Sequence, residues 1–233
     1  MNEQAHDQET LKRAAAEAAL DYVRDGAVVG LGTGSTVRHL LRALGERVKS
    51  GFRIKGVPTS HATAELAKSL GIHLLPSDEA WPIEVAIDGA DQVDPHYNMI
   101  KGGGGALLRE KIVAAAAHHF IVIVDAGKRT SFLGHPMPLP VEVIPFGWQS
   151  TARLIKELGW EGSLRMHKGE VFHTDSGNYI LDLNIDRIDD PARLETQLNG
   201  IPGVVENGLF VGRAGTLIVG TPTGIKVETV NIR

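Results

Sequence analysis

At 233 residues, 42% of them hydrophobic and 22% charged, the chain is long enough to bury a hydrophobic core in one domain or two modest ones. Its 28 acidic and 24 basic residues leave no electrostatic footprint for nucleic acid or an anionic membrane, so the expected partner is a small molecule. The lack of cysteine excludes disulfides and thiolate chemistry, and no apolar run approaches the ~20 residues of a membrane span, so a cytoplasmic home is expected. In chain order, the first predicted element is a helix over 9–23, ETLKRAAAEAALDYV. Its apolar stripe is Leu11, Ala14, Ala15, Ala18, Ala19 and Tyr22, and Asp25-Gly26 stops it. AVVGLG reads as a buried strand ending in glycines, and STVRHLLRALGERV as an amphipathic helix capped by Ser35 or Thr36. The rhythm continues with strand RIKGVPTS, helix HATAELAKSLG, strands IHLLP and EVAIDGAD, helix GALLREKIVAAAAHH and strand FIVIVDAGK.

Apolar strands alternating with helices predict a mostly parallel sheet covered on both faces, a Rossmann-like α/β architecture. HPMPLPVEVIP, with four prolines in eleven residues, breaks the pattern and predicts a boundary near residue 132. Beyond it the pattern is that of a smaller α+β unit. Strand PVEVIP, helix GWQSTARLIKELG, GSLRM, a hairpin EVFHTDSGNYILDLNI turning at Asp175-Ser176-Gly177, and helix PARLETQLNG follow one another. The last segment, GLFVGRAGTLIVGTPTGIKVETV, offers strands to either unit. The expected division is a Rossmann-like catalytic domain over 1–132, rejoined by 206–233, and a small α+β, ferredoxin-like domain over 133–205.

Four stretches carry chemistry. In GLGTGST (Gly30–Thr36), a glycine turn opens a helix whose first amides lack intrahelical partners, and the helix dipole favours an anion there. Thr33, Ser35 and Thr36 add hydroxyls. The dinucleotide fingerprint fails because its third glycine would fall on Ser35, and the phosphate loop of nucleotide-binding enzymes fails for want of Gly-Lys-Ser/Thr. A lone phosphate suits this turn better; the alternative is a tight turn with a serine cap. In AIDGADQVD, Asp88 and Asp91 follow a strand with Gly89 and Ala90 between them, where carboxylates can contact sugar hydroxyls or move protons. Asp94 fits an Asx turn more readily. KGGGGALLREK places four glycines between Lys101 and the helix that carries Glu110. A carboxylate beside a carbon acid acts as a general base, and an ammonium stabilises the oxyanion that develops. A favourable charge at a helix N-terminus, or an exposed pairing with neighbouring basic side chains, would also account for Glu110. In VDAGK, Lys128 just past a strand is placed to reach a phosphate or to sit on the surface. The ten histidines show no metal-ligand spacing, and no metal site is expected.

These motifs, in this order, resemble type A ribose-5-phosphate isomerase. GLGTGST, VPTS, DGAD, KGGGGALLREK, DAGK, LPVEVIP and IPGVV all fall where that family's motifs would, from about Leu11 to the C-terminus. The resemblance implies interconversion of ribose 5-phosphate and ribulose 5-phosphate in the non-oxidative pentose phosphate pathway, without metal or cofactor, through a cis-enediolate. It also implies a homodimer or homotetramer. Carried over, Glu110 is the base moving the proton between C2 and C1, and Lys101 stabilises the enediolate oxygens. Asp88 and Asp91 bind hydroxyls, assist ring opening and relay the O1/O2 proton. Thr33, Gly34, Ser35, Thr36 and Lys128 hold substrate, with the phosphate best suited to the turn, while Gly89 and Ala90 belong to its binding surface. The amides of Gly102, Gly103 and Gly104 line the reacting end, and Lys12 is a further phosphate candidate. The chain departs from the family pattern at Gly105 for alanine, Leu108 for threonine, Gln92 for glutamate and DAGK for DASK. None removes a proposed catalytic side chain; the added glycine is expected to loosen the loop. An amino-sugar phosphate deaminase or coenzyme A transferase on a similar scaffold would need other signatures. A sugar-phosphate-sensing domain would keep the phosphate turn without the acid–base pair.

Overall fold

The computed structural model describes residues 3–76 and 78–230, with side chains from residue 7 onward. The first half of the chain runs α1 (Glu3–Ala18), β1 (Val28–Leu31), α2 (Ser35–Lys49), β2 (Lys55–Pro58), α3 (His61–Ser69), β3 (His73–Leu74), β4 (Ile83–Asp88), β5 (Gln92–Val93), β6 (Met99–Ile100), α4 (Leu107–Ala116) and β7 (Ala117–Asp125). It continues with β8 (Leu139–Val143), α5 (Trp148–Glu157), β9 (Gly162–Leu164), β10 (Met166–His167), β11 (Glu170–Val171), β12 (Tyr179–Leu183), α6 (Pro191–Asn199), β13 (Val204–Asn207), β14 (Leu209–Phe210), β15 (Thr216–Thr221) and β16 (Gly224–Thr229). These elements form two units, 1–90 with 109–129 and 213–233, and 91–108 with 130–212. Residues 1–2 and 231–233 of the first lie outside the described residues.

The first unit is built on a seven-stranded sheet in the order β16-β15-β7-β4-β1-β2-β3, parallel throughout except for β16. Side chains alternate between its faces. Val29, Leu31, Val85, Ile87, Ile121 and Ile123 join Ala15, Ala16 and Ala19 of the N-terminal helical region and Leu40, Leu41 and Leu44 of α2 in one buried cluster. Each buried leucine contributes roughly 1.5–3 kcal/mol over an exposed one. On the other face α4 lies close against the sheet. A Cβ at Gly30 would stand 2.5 Å from Val113 Cγ1 and 2.8 Å from Ala86 Cβ, so only glycine admits the helix there. The chain moves outward from β1 to β3, then returns to β4 on the other side of β1. The crevice beyond the carboxyl ends of β1 and β4 is therefore the topological switch point of the sheet, where ligands bind in open α/β folds.

The second unit holds a four-stranded antiparallel sheet, β13-β8-β12-β9, with α5 and α6. Its chain order is βαββαβ and its strand order 4-1-3-2, the ferredoxin-like arrangement expected. Leu139, Val141, Val143, Leu181 and Leu183 pack with Ile155 of α5 and with Leu194 and Leu198 of α6. A three-stranded sheet, β14-β6-β5, completes the unit.

Four local expectations are corrected. The sequence pattern assigns 91–108 and 206–212 to the first domain, but β6 pairs with β5 on one side and with β14 on the other, and both segments group with the second unit. The helix through AAAAHH stops at Ala116, because Ala117 and His119 pair with Ile83 and Val85 of β4 and tertiary pairing overrides alanine's helix propensity. The predicted turn at Asp175-Ser176-Gly177 is present, with Gly177 N donating to Thr174 O and Thr174 N to Asn178 O, but the strands on either side of it do not pair with each other. β11 pairs with β10 across a turn in which Lys168 and Gly169 both have positive φ, while β12 pairs with β8 and β9. The N-cap of α2 is Gly34, at φ 115°, rather than Ser35 or Thr36, which lie inside the first turn.

Candidate active site

At the end of β1 the chain turns through Gly32, Thr33 and Gly34 into α2; at the end of the neighbouring β4 stands Asp88, 3% exposed. Asp88 Oδ1 accepts from the amides of Thr33 at 3.0 Å and Gly89 at 2.7 Å, so the carboxylate spans the two strand ends. Gly32 makes room for it, since a Cβ there would lie 2.1 Å from Asp88 Oδ1. The turn is braced by hydroxyls. Thr33 Oγ1 donates to Ser60 Oγ and lies equally close, 2.8 Å, to Thr59 Oγ1, while Thr63 Oγ1 donates to the Gly32 carbonyl at 2.8 Å. Thr33 thus turns its hydroxyl into the fold. Beyond it, Gly34 and Ser35 are exposed, and no side-chain hydrogen bond caps α2, whose N-terminal amides, like those of any helix, favour an anion.

Glu110 lies in the first turn of α4 and is 5% exposed. It shares a helix face with Val113, three residues on, the side chain that rests on Gly30. Because α4 runs directly into β7, which is parallel to β1 and β4, its N-terminal end and Glu110 lie towards the carboxyl ends of those strands. Lys128 closes a 3₁₀ turn, Ala126–Lys128, just after β7, with Asp125 Oδ1 accepting from the Gly127 amide. On α1, Lys12 Nζ donates to Glu9 Oε1 at 2.8 Å, and Glu9 Oε2 lies 2.9 Å from Nε2 of His39 on α2. Hydrogen bonds from Lys12 and then His39 hold the Glu9 carboxyl below its ordinary value.

In the second unit the glycine loop and its neighbours form another group. Asp91 Oδ2 accepts from the Gly103 amide at 2.8 Å, and the Asp91 amide donates to the Ile100 carbonyl. Lys101, 2% exposed, has its backbone held by Gly208 and its Nζ 5.4 Å from the centre of the Phe210 ring. Gly105 N donates to Gly102 O at 2.9 Å, which closes a turn and leaves Gly103 and Gly104 exposed. Asp94 is a turn residue: Oδ1 accepts from the amides of His96 and Asn98, and Oδ2 from Asn98 Nδ2. Gln92 exchanges two hydrogen bonds with the backbone of Gly134, which a glutamate has no proton to reproduce when ionised.

The structure therefore joins Thr33, Asp88 and Gly89 through one carboxylate, joins Asp91 to Gly103, and pairs Lys12 with Glu9. Two features escape sequence inspection. One is the Thr59, Ser60 and Thr63 brace, signalled only by VPTS at the end of β2; the other is Arg165, whose guanidinium meets the glycine loop. Among the described residues no three His, Cys, Asp or Glu side chains are grouped to hold a metal ion. Nor, among them, is any helix long and apolar enough to cross a membrane.

Residues 55–224 match the family model for ribose 5-phosphate isomerase A (phosphoriboisomerase A). The chain is 52% identical over 224 residues to ribose-5-phosphate isomerase A of Cereibacter sphaeroides (strain KD131 / KCTC 12085), covering 93% of this chain and 85% of that protein. It is 47% identical to the ribose-5-phosphate isomerase A of Thermococcus kodakarensis, covering 94% of this chain and 97% of that one. Among solved structures it superimposes with TM-score 0.92 and 43% identity on a D-ribose-5-phosphate isomerase in complex with phospho-erythronic acid, covering 98% and 100% of the two chains. The ribose 5-phosphate isomerase A of Methanocaldococcus jannaschii gives TM-score 0.90 at 41% identity, covering 95% and 99%.

Proposed function

Since the chain belongs to the ribose 5-phosphate isomerase A family and interconverts ribose 5-phosphate and ribulose 5-phosphate, we propose that Glu110 moves the proton and that Lys101, Asp88 and Asp91 manage the oxygens. In the open-chain aldose, Glu110 takes the C2 proton, the C2–H electron pair forms the C1–C2 double bond, and the carbonyl oxygen O1 becomes the enediolate oxygen. Lys101 stabilises that charge. A proton passes from O2 to O1 with Asp88 and Asp91 as relay, and Glu110 returns its proton to C1 as the C2 carbonyl forms. No metal or organic cofactor enters this scheme. The observation that carries it is the placement of Glu110, a nearly buried carboxylate at the N-terminal end of α4, towards the strand ends where Asp88 is fixed.

The exposed amides at Gly34 and Ser35, the Thr36 hydroxyl and Lys128 take the phosphate. Gly89 and Ala90, together with the glycine loop from Gly102 to Gly104, whose Gly103 amide is held by Asp91, line the place of the sugar. Phospho-erythronic acid, bound by the solved relative, is a phosphorylated sugar acid whose planar carboxylate resembles the two oxygens of an enediolate. It is the natural inhibitor to try on this chain. The lack of cysteine and the acidic balance support a cytoplasmic enzyme, and family membership supports a homodimer or homotetramer, which light scattering on the purified protein decides.

The test of the assignment is Glu110→Gln. Its kcat should fall by about a hundredfold to ten-thousandfold while KM changes little, since the lost group acts in proton transfer. A kcat near that of the unaltered enzyme would place the base elsewhere.

A further inference from the structure

We propose that Arg165 is a positioning residue for the isomerisation, its guanidinium setting the orientation of the glycine-loop peptides that meet the reacting end of the sugar. The inference rests on the reading that this loop lines the place of the sugar. Arg165 follows β9 and is anchored through its backbone, donating to Ile180 O and accepting from Phe172 N. Its side chain is 14% exposed. Nε donates to Asp182 Oδ2 at 2.8 Å and Nη2 to Asp182 Oδ1, a side-on pair that leaves Nη1 directed at the loop. Nη1 donates to the carbonyls of Gly102 at 2.9 Å and Gly103 at 3.1 Å. The Phe172 ring, 5.8 Å from the guanidinium carbon, also occupies the space where a Cβ of Gly105 would stand. One guanidinium thus grips two successive peptides of a segment that glycine leaves conformationally free.

A trans peptide is planar, so its N–H points away from its C=O. With the Gly102 carbonyl on Arg165, the Gly103 N–H points the other way, and there it meets Asp91 Oδ2. That peptide is held at both ends by charged groups. With the Gly103 carbonyl on the same Nη1, the Gly104 N–H is likewise turned away from the guanidinium, on an exposed stretch of loop. A cation on the carbonyl also polarises the peptide and strengthens its N–H as a donor. Lysine has one nitrogen and no rigid fork, and cannot hold Asp182 side-on while meeting both carbonyls.

Steady-state kinetics on ribose 5-phosphate, with melting curves, separate positioning from mere support in Arg165→Met, Arg165→Lys and Glu110→Gln. We expect Arg165→Met to lose about tenfold to a hundredfold in kcat with KM within about threefold. Arg165→Lys should recover the melting temperature, because it restores the charge beside Asp182, but not kcat. Unaltered kcat in either variant, a kcat in Arg165→Lys that recovers with the melting temperature, or a loss confined to KM would overturn the proposal. If Arg165→Met does not fold, Arg165→Lys decides. A large loss in Glu110→Gln beside unaltered kcat in Arg165→Lys strikes only at the positioning role, whereas unaltered kcat in Glu110→Gln strikes at the site assignment beneath it.

Discussion

Gly32 has no side chain because Asp88 occupies the space where one would begin. Replacing it by alanine puts a methyl group within 2.1 Å of Asp88 Oδ1, so the carboxylate must leave the amides of Thr33 and Gly89. Gly32→Ala should therefore cost about 1–3 kcal/mol of stability and, through the displaced carboxylate, at least about tenfold in kcat. Thermal melting and initial rates on one preparation check both. Lys101→Ala should show its defect in kcat, on the oxyanion argument, and turnover equal to the unaltered enzyme would remove Lys101 from the chemical step. The placement of Asp88 at the end of β4 and of Glu110 in the first turn of α4 was legible in the sequence because strand ends and helix starts are local signals. The inward turn of the Thr33 hydroxyl was not, because its partners lie 26 to 30 residues away on a neighbouring strand end and helix.

A glycine added to a loop ordinarily adds freedom, but Gly105 is fixed from two sides. Its φ is +81°, a region closed to most side chains, and a Cβ would meet Phe172 at 2.5 Å. Gly105→Ala should accordingly destabilise by about 1–3 kcal/mol, and Phe172→Leu in the same chain should recover part of that loss. Chemical denaturation of the two single variants and the double variant measures the coupling. The expected loosening of the loop is thus replaced by a contact that no local pattern announces, since Phe172 lies 67 positions further on in the sequence. The same limit explains β11: its composition marks a strand, whereas its partner depends on the turn at Lys168 and Gly169. Strand, turn and helix in the first unit were legible because each is written in consecutive residues.

Across the molecule, acid stability has a readable sign. Asp25 accepts from the Arg53 amide at 2.7 Å and from its guanidinium at 3.0 Å, and these bonds hold its carboxyl below the ordinary value. The Glu161 carboxyl is lowered in the same way by Lys156. A carboxyl with a lower value folded than unfolded stabilises the fold above the unfolded value, and that contribution disappears as pH falls through the folded one. Asp25→Asn should flatten the dependence of melting temperature on pH between about 5 and 3, most visibly at low salt. An acid limb as steep as that of the unaltered chain would assign the slope to other carboxyls. The chain passes between its two units at 90/91, 108/109, 129/130 and 212/213. Two of these bonds fall inside DGAD and LLREK, between Ala90 and Asp91 and between Leu108 and Arg109. Neither unit corresponds to one uninterrupted length of gene. Recombination between relatives at any one of these four points gives the first unit mixed parentage, and at 108/109 or 129/130 the second as well, so a working exchange of one unit needs all of its segments moved together.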